Sequence, residues 1–260
     1  MTFSATDPTS GAGLQADILT LSSIGCYPLS VATGISVQDT IGVESLSAIS
    51  AELVNDQARN ILEDMTISVF KCGVLGSTEN IRVVAEIAAD YPKIPLIIDP
   101  VISSGRGDEL LDEEMLEAMK DLLFPQAYLI TPNSYEARRL IIGEKEIFEE
   151  IDIALCADRL KLLGCDNILI TGTHENTKQV VNTLFDSFGK STPFYWERLP
   201  DQYHGSGCTL TSAIAGYLAQ GLMLQTSIER AQYYTWQTLK HSFKPGMGQY
   251  IPNRSFSTSK

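Results

Sequence analysis

Residues 204 to 210 read His-Gly-Ser-Gly-Cys-Thr-Leu, two glycines around a hydroxyl residue just ahead of an apolar segment. Downstream, Leu210, Ile214 and Leu218 recur every four residues, with Ala213 and Tyr217 beside them. This spacing predicts a helix that starts on a loop of small residues. The first N–H groups of a helix have no internal partner, and the macrodipole is positive at that end. Glycines let an anion approach those groups closely. Cys208 falls at the mouth of this anion site, where a thiol's pKa tends to drop. A nucleophile or base beside an anion hole fits phosphoryl or acyl transfer. The same letters also spell a flexible turn followed by a small buried thiol, so other parts of the chain must decide.

Three more clusters carry polar chemistry. Thr6-Asp7-Pro8-Thr9-Ser10-Gly11-Ala12-Gly13 makes a small-residue loop, and Asp17 follows one turn into the next helix. There it is either a functional acid or a solvated first-turn carboxylate favoured by the dipole. Thr131-Pro132-Asn133-Ser134-Tyr135-Glu136 puts Asn133 and Glu136 on one helix face. An amide oxygen and a carboxylate suit Mg²⁺, directly or through water. The same spacing is a capping box, and spacing alone favours the box. Gln38-Asp39-Thr40 ends a β-rich segment. A glutamine donates and accepts at once, so it can read an aminopyrimidine edge.

These clusters sit at the ends of alternating strand and helix signals. Strands are predicted at Thr2–Ala5, Leu29–Val37, Ser68–Lys71, Leu96–Ile98, Tyr128–Thr131 and Ile168–Thr171. Helical faces run from Gly13 to Ile24, through Leu53, Ile61, Leu62 and Met65, and through Ile81, Val84, Ala85, Ala88 and Tyr91. Ser77 or Thr78 caps the last of these, and Asp112, Glu113 and Glu114 open another helix. Val180–Phe185 and Phe194–Trp196 flank a Gly189 turn and read as an antiparallel hairpin. Helices over Cys208–Gln220 and Thr226–Phe243 complete the pattern. Short apolar strands alternating with helices imply a mostly parallel sheet covered on both faces. Ligands of such sheets bind beyond the carboxyl ends of the strands. Asp99, Thr131 with Asn133, and Thr171 with Thr173 end strands there.

Composition narrows the function. The chain has 260 residues, 44% hydrophobic and 20% charged, which fits one large α/β domain. A net charge of −13 argues against nonspecific nucleic-acid binding and against an anionic membrane surface. An acidic protein binds phosphates locally, through backbone amides, a few cations and Mg²⁺. No apolar run is long enough to span a bilayer, and the first residues lack the features of a signal peptide, so a cytoplasmic location is expected. The five cysteines, Cys26, Cys72, Cys156, Cys165 and Cys208, form no C-x-x-C pair, and free thiols are expected. The domain is expected over residues 1–252, with 253–260 a polar tail expected to be disordered.

Taken together, the motifs resemble a known family. Asp-Pro-x-x-Gly-Ala-Gly-Leu-Gln-Ala-Asp at 7–17, Val37-Gln38-Asp39-Thr40, Lys71-Cys72-Gly73-Val74-Leu75 and Asp99-Pro100-Val101 resemble the hydroxymethylpyrimidine/phosphomethylpyrimidine kinases of thiamine biosynthesis. So do Thr131-Pro132-Asn133-Ser134-Tyr135-Glu136-Ala137 and the stretch from His204 to Leu210. The order is the family's, across nearly the whole chain. The resemblance implies a ribokinase-like three-layer α/β fold and ATP- and Mg²⁺-dependent phosphorylation. The implied substrates are 4-amino-5-hydroxymethyl-2-methylpyrimidine and then its monophosphate, and a homodimer is implied as well.

It also implies roles. Gln38 would bond the pyrimidine, with Asp17 near its amino group, Val74 against the ring and Ala5 where the substrate meets the first strand. Gly205, Ser206 and Gly207 would form the anion hole, and Cys208 stands where related sugar kinases use an aspartate base. Asn133 and Glu136 would organise Mg²⁺ and the ATP phosphates, with Asp99 nearby and Thr171 beside the nucleotide. The chain departs from the family at three of these places: Ala5 for Gly, Val74 for Met, and Thr171 for Lys. The last removes a cation, for which Arg106 or the metal would have to compensate. Pyridoxal kinase on the same scaffold, a ligand-binding homologue without catalysis and an acyl-transfer enzyme using Cys208 are the alternative readings.

Overall fold

The computed structural model describes residues 1–104, 107–142, 146–148 and 151–256. Arg106, the expected substitute cation, lies outside the described residues. Nine strands form one sheet among the described residues: β1 (Thr2–Thr6), β2 (Ser30–Gln38), β3 (Val43–Ala48), β4 (Phe70–Cys72), β5 (Leu96–Ile98), β6 (Ala127–Ile130), β7 (Ile168–Ile170), β8 (Gln179–Phe185) and β9 (Ser191–Glu197). Their order is β3-β2-β1-β4-β5-β6-β7-β8-β9. From β2 to β7 all pairings are parallel, while β3 and the β8–β9 hairpin are antiparallel additions at the two edges. The chain leaves β1 toward β2 on one side and later returns to β4 on the other. That reversal opens a crevice at the carboxyl ends of β1 and β4, where open α/β sheets bind ligands.

Among the described residues, eight α-helices cover the sheet: α1 (Gly13–Ser23), α2 (Ala51–Asp64), α3 (Thr78–Asp90), α4 (Glu113–Ala118), α5 (Ser134–Ile141), α6 (Ile153–Leu162), α7 (Ser206–Ala219) and α8 (Leu224–Lys240). The strands alternate their faces, as a period of two requires. Phe70, Leu96, Ile98, Ile130 and Ile168 pack with α2 to α6, whereas Val69, Ile97, Leu129 and Leu169 pack with α7 and α8. The result is the three-layer, ribokinase-like arrangement expected from the sequence. None of the described helices is long and apolar enough to cross a membrane.

Half of these helix starts follow local capping chemistry. Ser50, Ser77, Asp112 and Asn133 cap α2, α3, α4 and α5 with side-chain oxygens. Two elements had no reading in the sequence, β3 and α6. Strand β4 ends at Cys72 rather than Lys71, and α7 opens at Ser206, two residues before Cys208. The expected tail is also shorter at its start. Arg254 is 4% exposed and Phe256 packs on Tyr234, so the chain stays in the fold through Phe256. The polar letters around Arg254 hid a guanidinium whose hydrogen-bond partners are all inside the protein.

One buried ion pair ties four elements together. Asp17 of α1 is 0% exposed and receives Lys71 Nζ of β4 at 2.9 Å on each carboxylate oxygen. Thr2 Oγ1 of β1 and Ser212 Oγ of α7 donate to the same two oxygens at 2.6 Å each. Every lone pair that burial would strand has a donor. Burial alone would pull the Lys71 ammonium down, but Asp17, then Cys208 and Asp99, hold it well above its ordinary value. Removing one partner of such a pair leaves an unpaired buried charge. Asp17→Asn is therefore expected to cost about 3–5 kcal/mol in urea unfolding. Asp17→Asn combined with Lys71→Met should cost less than the sum of the two single changes, and strict additivity would contradict this account.

Candidate active site

A cavity of about 680 Å³ runs along the carboxyl edge of the sheet, within the range that holds a small ligand. One end is lined by Ala5, Ser36, Gln38, Val43, Leu46 and Val74, from β1 to β4. The other is lined by Val180, Asn182, Trp196, Gln232 and Trp236, from the hairpin and α8. Asp99 and the segment from Gly205 to Cys208 line it as well, contributed by the middle of the sheet and the start of α7.

Two glycine loops build this middle section. Gly205 caps α7 in the left-handed region, φ +80°, and its α-carbon lies so close to the other loop that a methyl there would sit 1.8 Å from Gly11 O. A methyl on Gly11 would in turn strike the His204 ring at 2.2 Å. Glycine is needed at both positions for the loops to meet. The first intrahelical bond of α7 runs from Thr209 N to Gly205 O at 3.0 Å. The N–H groups of Ser206, Gly207 and Cys208 therefore come before the helical ladder and are left for a ligand. Helix α1 also starts without a side-chain cap, and the N–H of Gly13 is directed to the Cys208 sulfur.

Asp7 locks the loops. Its Oδ1 accepts from Thr9 N and Thr9 Oγ1 at 2.8 Å each, and its Oδ2 from Ala12 N at 2.7 Å. His204 Nε2 lies 2.8 Å from the same Oδ2. Burial pushes the Asp7 carboxyl upward, but hydrogen bonds from His204 and Gln38, with the His204 charge and the Ala12 N–H, hold it far below the usual carboxylate range. Gln38 lines the cavity on the same side as Asp7.

Most of the expected site residues converge here. Ala5, Gln38, Val74, Asp99, Asn133, Glu136, Thr171, Gly205, Ser206, Gly207 and Cys208 all line the cavity. Asp17 does not. Its side chain turns under β1 and β4 into the ion pair with Lys71, where it touches neither the cavity nor solvent. It is neither the substrate ligand nor the solvated first-turn acid that the sequence left open. The Ala5 methyl finds room toward β2, where Gly34 has no side chain; a methyl on Gly34 would meet it at 3.4 Å. Thr171 leaves no ammonium on its part of the wall. Arg198 also lines the cavity, but its guanidinium is held by the carbonyls of Thr173, Glu175 and Thr177.

Three acids beside the cradle are held above their ordinary pKa. Cys208 was expected to have a lowered pKa. Burial instead pushes its thiol up to about 12, against the pull of Lys71. Desolvation of the thiolate outweighs the helix terminus, because Asp99 and Asp17 also oppose a second negative charge. Burial raises Asp99 to about 6, with Lys71 pulling the other way and the Cys208 thiol as a hydrogen-bond neighbour. Asp99 Oδ2 is buried without a hydrogen-bond partner among the described residues, and both of its carboxylate oxygens stand over the first turn of α7, 3.8 and 3.9 Å from where a Gly207 methyl would be. Glu136 forms the capping box: Asn133 N donates to its Oε2 at 2.8 Å, and Glu136 N donates to Asn133 Oδ1 at 2.9 Å. Burial and then the Asp99 charge raise it to about 8.

With this geometry in hand, comparison with known proteins is decisive. The family described as phosphomethylpyrimidine kinase matches residues 7–253. The chain belongs to that family. It is 36% identical over 248 residues to the thiamine biosynthesis bifunctional protein ThiED of Geobacter sulfurreducens, covering 95% of this chain and 50% of that protein. The chain thus spans about half the length of that relative. Among solved structures, the phosphomethylpyrimidine kinase of Clostridium difficile 630 is 31% identical with a TM-score of 0.77, covering 92% of this chain and 97% of the other. An ADP complex of Bacillus subtilis pyridoxal kinase is 25% identical with a TM-score of 0.89, covering 100% and 98%.

Several site residues had little or no sequence signal. Asp7 was legible as part of a turn, but its bond to His204, 197 positions away, was not. Trp196, Trp236 and Gln232 read as hairpin and helix residues only. The raised acids set the pH behaviour of this family member. A carboxyl whose pKa is higher in the folded than in the unfolded state supports the fold fully below its unfolded value and stops doing so as pH rises through the folded one. The Tm of the unliganded protein should therefore fall between pH 4.5 and about 8 for Glu136. Glu136→Gln keeps an amide oxygen for the Asn133 N–H and should flatten the fall above about pH 7, where Asp99, raised to about 6, is already mostly ionised. An unchanged slope in that variant would refute the assignment.

Proposed function

We propose that the protein is an ATP-dependent kinase acting on the hydroxymethyl group of 4-amino-5-hydroxymethyl-2-methylpyrimidine and then on its monophosphate. The observation that carries this reading is a single cavity with three kinds of wall in sequence along the sheet. Gln38, Val74 and Ala5 supply a flat, mostly apolar end with one amide. The free N–H groups of Ser206 to Cys208 supply an anion cradle. The hairpin and α8 supply an aromatic end for a nucleotide base.

In-line transfer of a γ-phosphoryl group needs position and charge stabilisation more than covalent chemistry. The cradle supplies backbone donors where negative charge would collect. Asn133 and Thr171, joined by a β-bridge, would face the nucleotide phosphates. The orphaned Asp99 Oδ2 fits a Mg²⁺ ligand, with Glu136 acting through water because it is committed to the capping box. Mg²⁺, when bound, would neutralise charge on the phosphates. Cys208 would take the acceptor's proton. At rest it is a thiol, so its own proton would first pass to solvent through the cavity, leaving the thiolate that accepts the hydroxyl proton, and the Lys71 ammonium is the charge that favours that loss. In a loose transition state the attacking hydroxyl is deprotonated late, so the placement of the sulfur counts for more than its basicity.

The pyridoxal kinase reading draws on the likeness to the Bacillus subtilis structure. Coupled ADP-release assays against the pyrimidine, its phosphate and pyridoxal separate the readings. The highest kcat/KM is expected for the two pyrimidines. A preference for pyridoxal would move the chain to the rival activity, and binding without ADP release would make it a binding protein. Cys208→Ala should lower kcat by about 10²–10⁴-fold while changing the KM for the pyrimidine little; an unchanged kcat would make the sulfur a bystander. The reading includes a homodimer, which the half-exposed Ile35 and Val37 of β2 support. Sedimentation velocity should give about twice the monomer mass, and a monomer at micromolar concentration would remove this part.

A further inference from the structure

Arg254 enters the site from behind. After Ile251 and Pro252 the chain lies on α8, where Asn253 N donates to Thr238 O at 3.0 Å and Tyr234 Oη donates to Arg254 O at 3.0 Å. The guanidinium then reaches both glycine loops. Nη1 donates to Ser10 O at 3.1 Å, and Nη2 donates to Gly11 O at 2.5 Å and to Gly205 O at 3.4 Å. Nε donates to Thr209 Oγ1 at 3.1 Å, on the first turn of α7. Ser10 is the one non-glycine residue with positive φ among those described, +61°, so the fork holds a strained turn.

All four acceptors are neutral. No carboxylate hydrogen-bonds to this guanidinium among the described residues, although it is 4% exposed. A buried charge without a counter-charge is destabilising, and proteins rarely keep one without a partner. Asp7 and Asp17 act on it only at longer range, where they partly offset the burial that lowers its pKa. Gly205, whose carbonyl the guanidinium grips, leads directly into the cradle at Ser206–Cys208. A cation behind the first turn adds to the positive end of the α7 dipole.

We propose that Arg254 is a positioning residue for phosphoryl transfer: it clamps the Ser10–Gly11 turn to Gly205, and the phosphoryl group held in the cradle supplies its missing counter-charge. This rests on the kinase reading above. It predicts that Arg254 favours nucleotides that place a phosphate in the cradle over those that do not.

The test uses the full chain, with calorimetric binding of AMP and of the β,γ-imido analogue of ATP, alongside kcat and KM. Arg254→Met should weaken the triphosphate analogue about 10-fold more than AMP. It should also lower kcat about 10–100-fold, with the KM for the pyrimidine changed less than about threefold. Arg254→Lys keeps the charge but loses the fork. It should recover most of the preference for the triphosphate and less of kcat. If Arg254→Met fails to fold, Arg254→Gln, which keeps an amide donor for the loop carbonyls but no charge, decides: a preference for the analogue equal to the wild type's would overturn the proposal. A wild-type chain that prefers the triphosphate, with Arg254→Met preferring it equally, would sink this inference alone. A wild-type chain that binds neither nucleotide would sink the kinase reading and this inference with it.

Discussion

Everything at the site depends on two backbone loops approaching within a distance that no side chain would survive. Gly205 rests against Gly11 O, and Gly11 rests against the His204 ring. One loop follows β1, and the other precedes α7, almost 200 residues later. Their contact brings the start of α1 and the start of α7 to the same point. It cannot be held by apolar packing, because glycines offer none. Polar side chains hold it instead: Asp7 bridges the first loop to His204, and Arg254 draws the carbonyls of both loops together from the rear. Beneath them the Asp17–Lys71 pair fixes the angle between α1, β1, β4 and α7. A small error in any of these would misplace the three free N–H groups, and a charge-stabilising site loses most of its effect when donors are misplaced.

The electrostatics follow from that construction. An acidic chain that held phosphate without a basic surface would have to do so with backbone amides and two buried cations. Neither cation lines the cavity. Lys71 is neutralised by Asp17 yet still acts on Asp99 and Cys208, and Arg254 keeps its charge unpaired behind the cradle. In front, Asp99, Glu136 and Cys208 crowd one another, and burial raises the pKa of all three. The unliganded site therefore holds protons that a bound cation would displace. The acids placed to meet a ligand are thus not the groups that stabilise the fold.

Much of the fold was readable because its strands are short, apolar and buried on both faces. Leu96-Ile97-Ile98 and Ile168-Leu169-Ile170 have no other stable place than the middle of a covered sheet. Helix starts were readable where a side chain does the capping, as at Ser77, Asp112 and Asn133. β3 escaped because Val-Glu-Ser-Leu-Ser-Ala is half exposed at an edge and makes no apolar run. α6 escaped because its buried positions, Cys156, Ala157 and Leu160, are few and lie within a weakly patterned stretch. Asp99, Thr131, Asn133 and Thr171, which line the cavity, were legible from the polar ends of strands. What was not legible was direction. Spacing places Asp17 one turn into α1, but only the packing of α1 on β1 and β4 decides that its carboxylate points down to Lys71 rather than out to a ligand. The thiol of Cys208 is the same lesson in acidity: a helix terminus lowers a pKa, and burial beside two carboxylates raises it further than the terminus can lower it.

The family resemblance and the geometry constrain different things. Family membership fixes the scaffold and the order of the motifs, and it leaves open how this chain manages without a lysine at position 171. The cavity wall near Thr171 offers no replacement that is free to move, because Arg198 is spent on three loop carbonyls. A charge placed behind the backbone meets the need differently from a lysine in front of it. A flexible ammonium can follow a phosphate as it transfers. A guanidinium buried at Gly11 and Gly205 cannot move, and it acts only where the cradle already directs its N–H groups. On the kinase reading, such a site would give up adaptability to the nucleotide and gain a fixed field at the cradle.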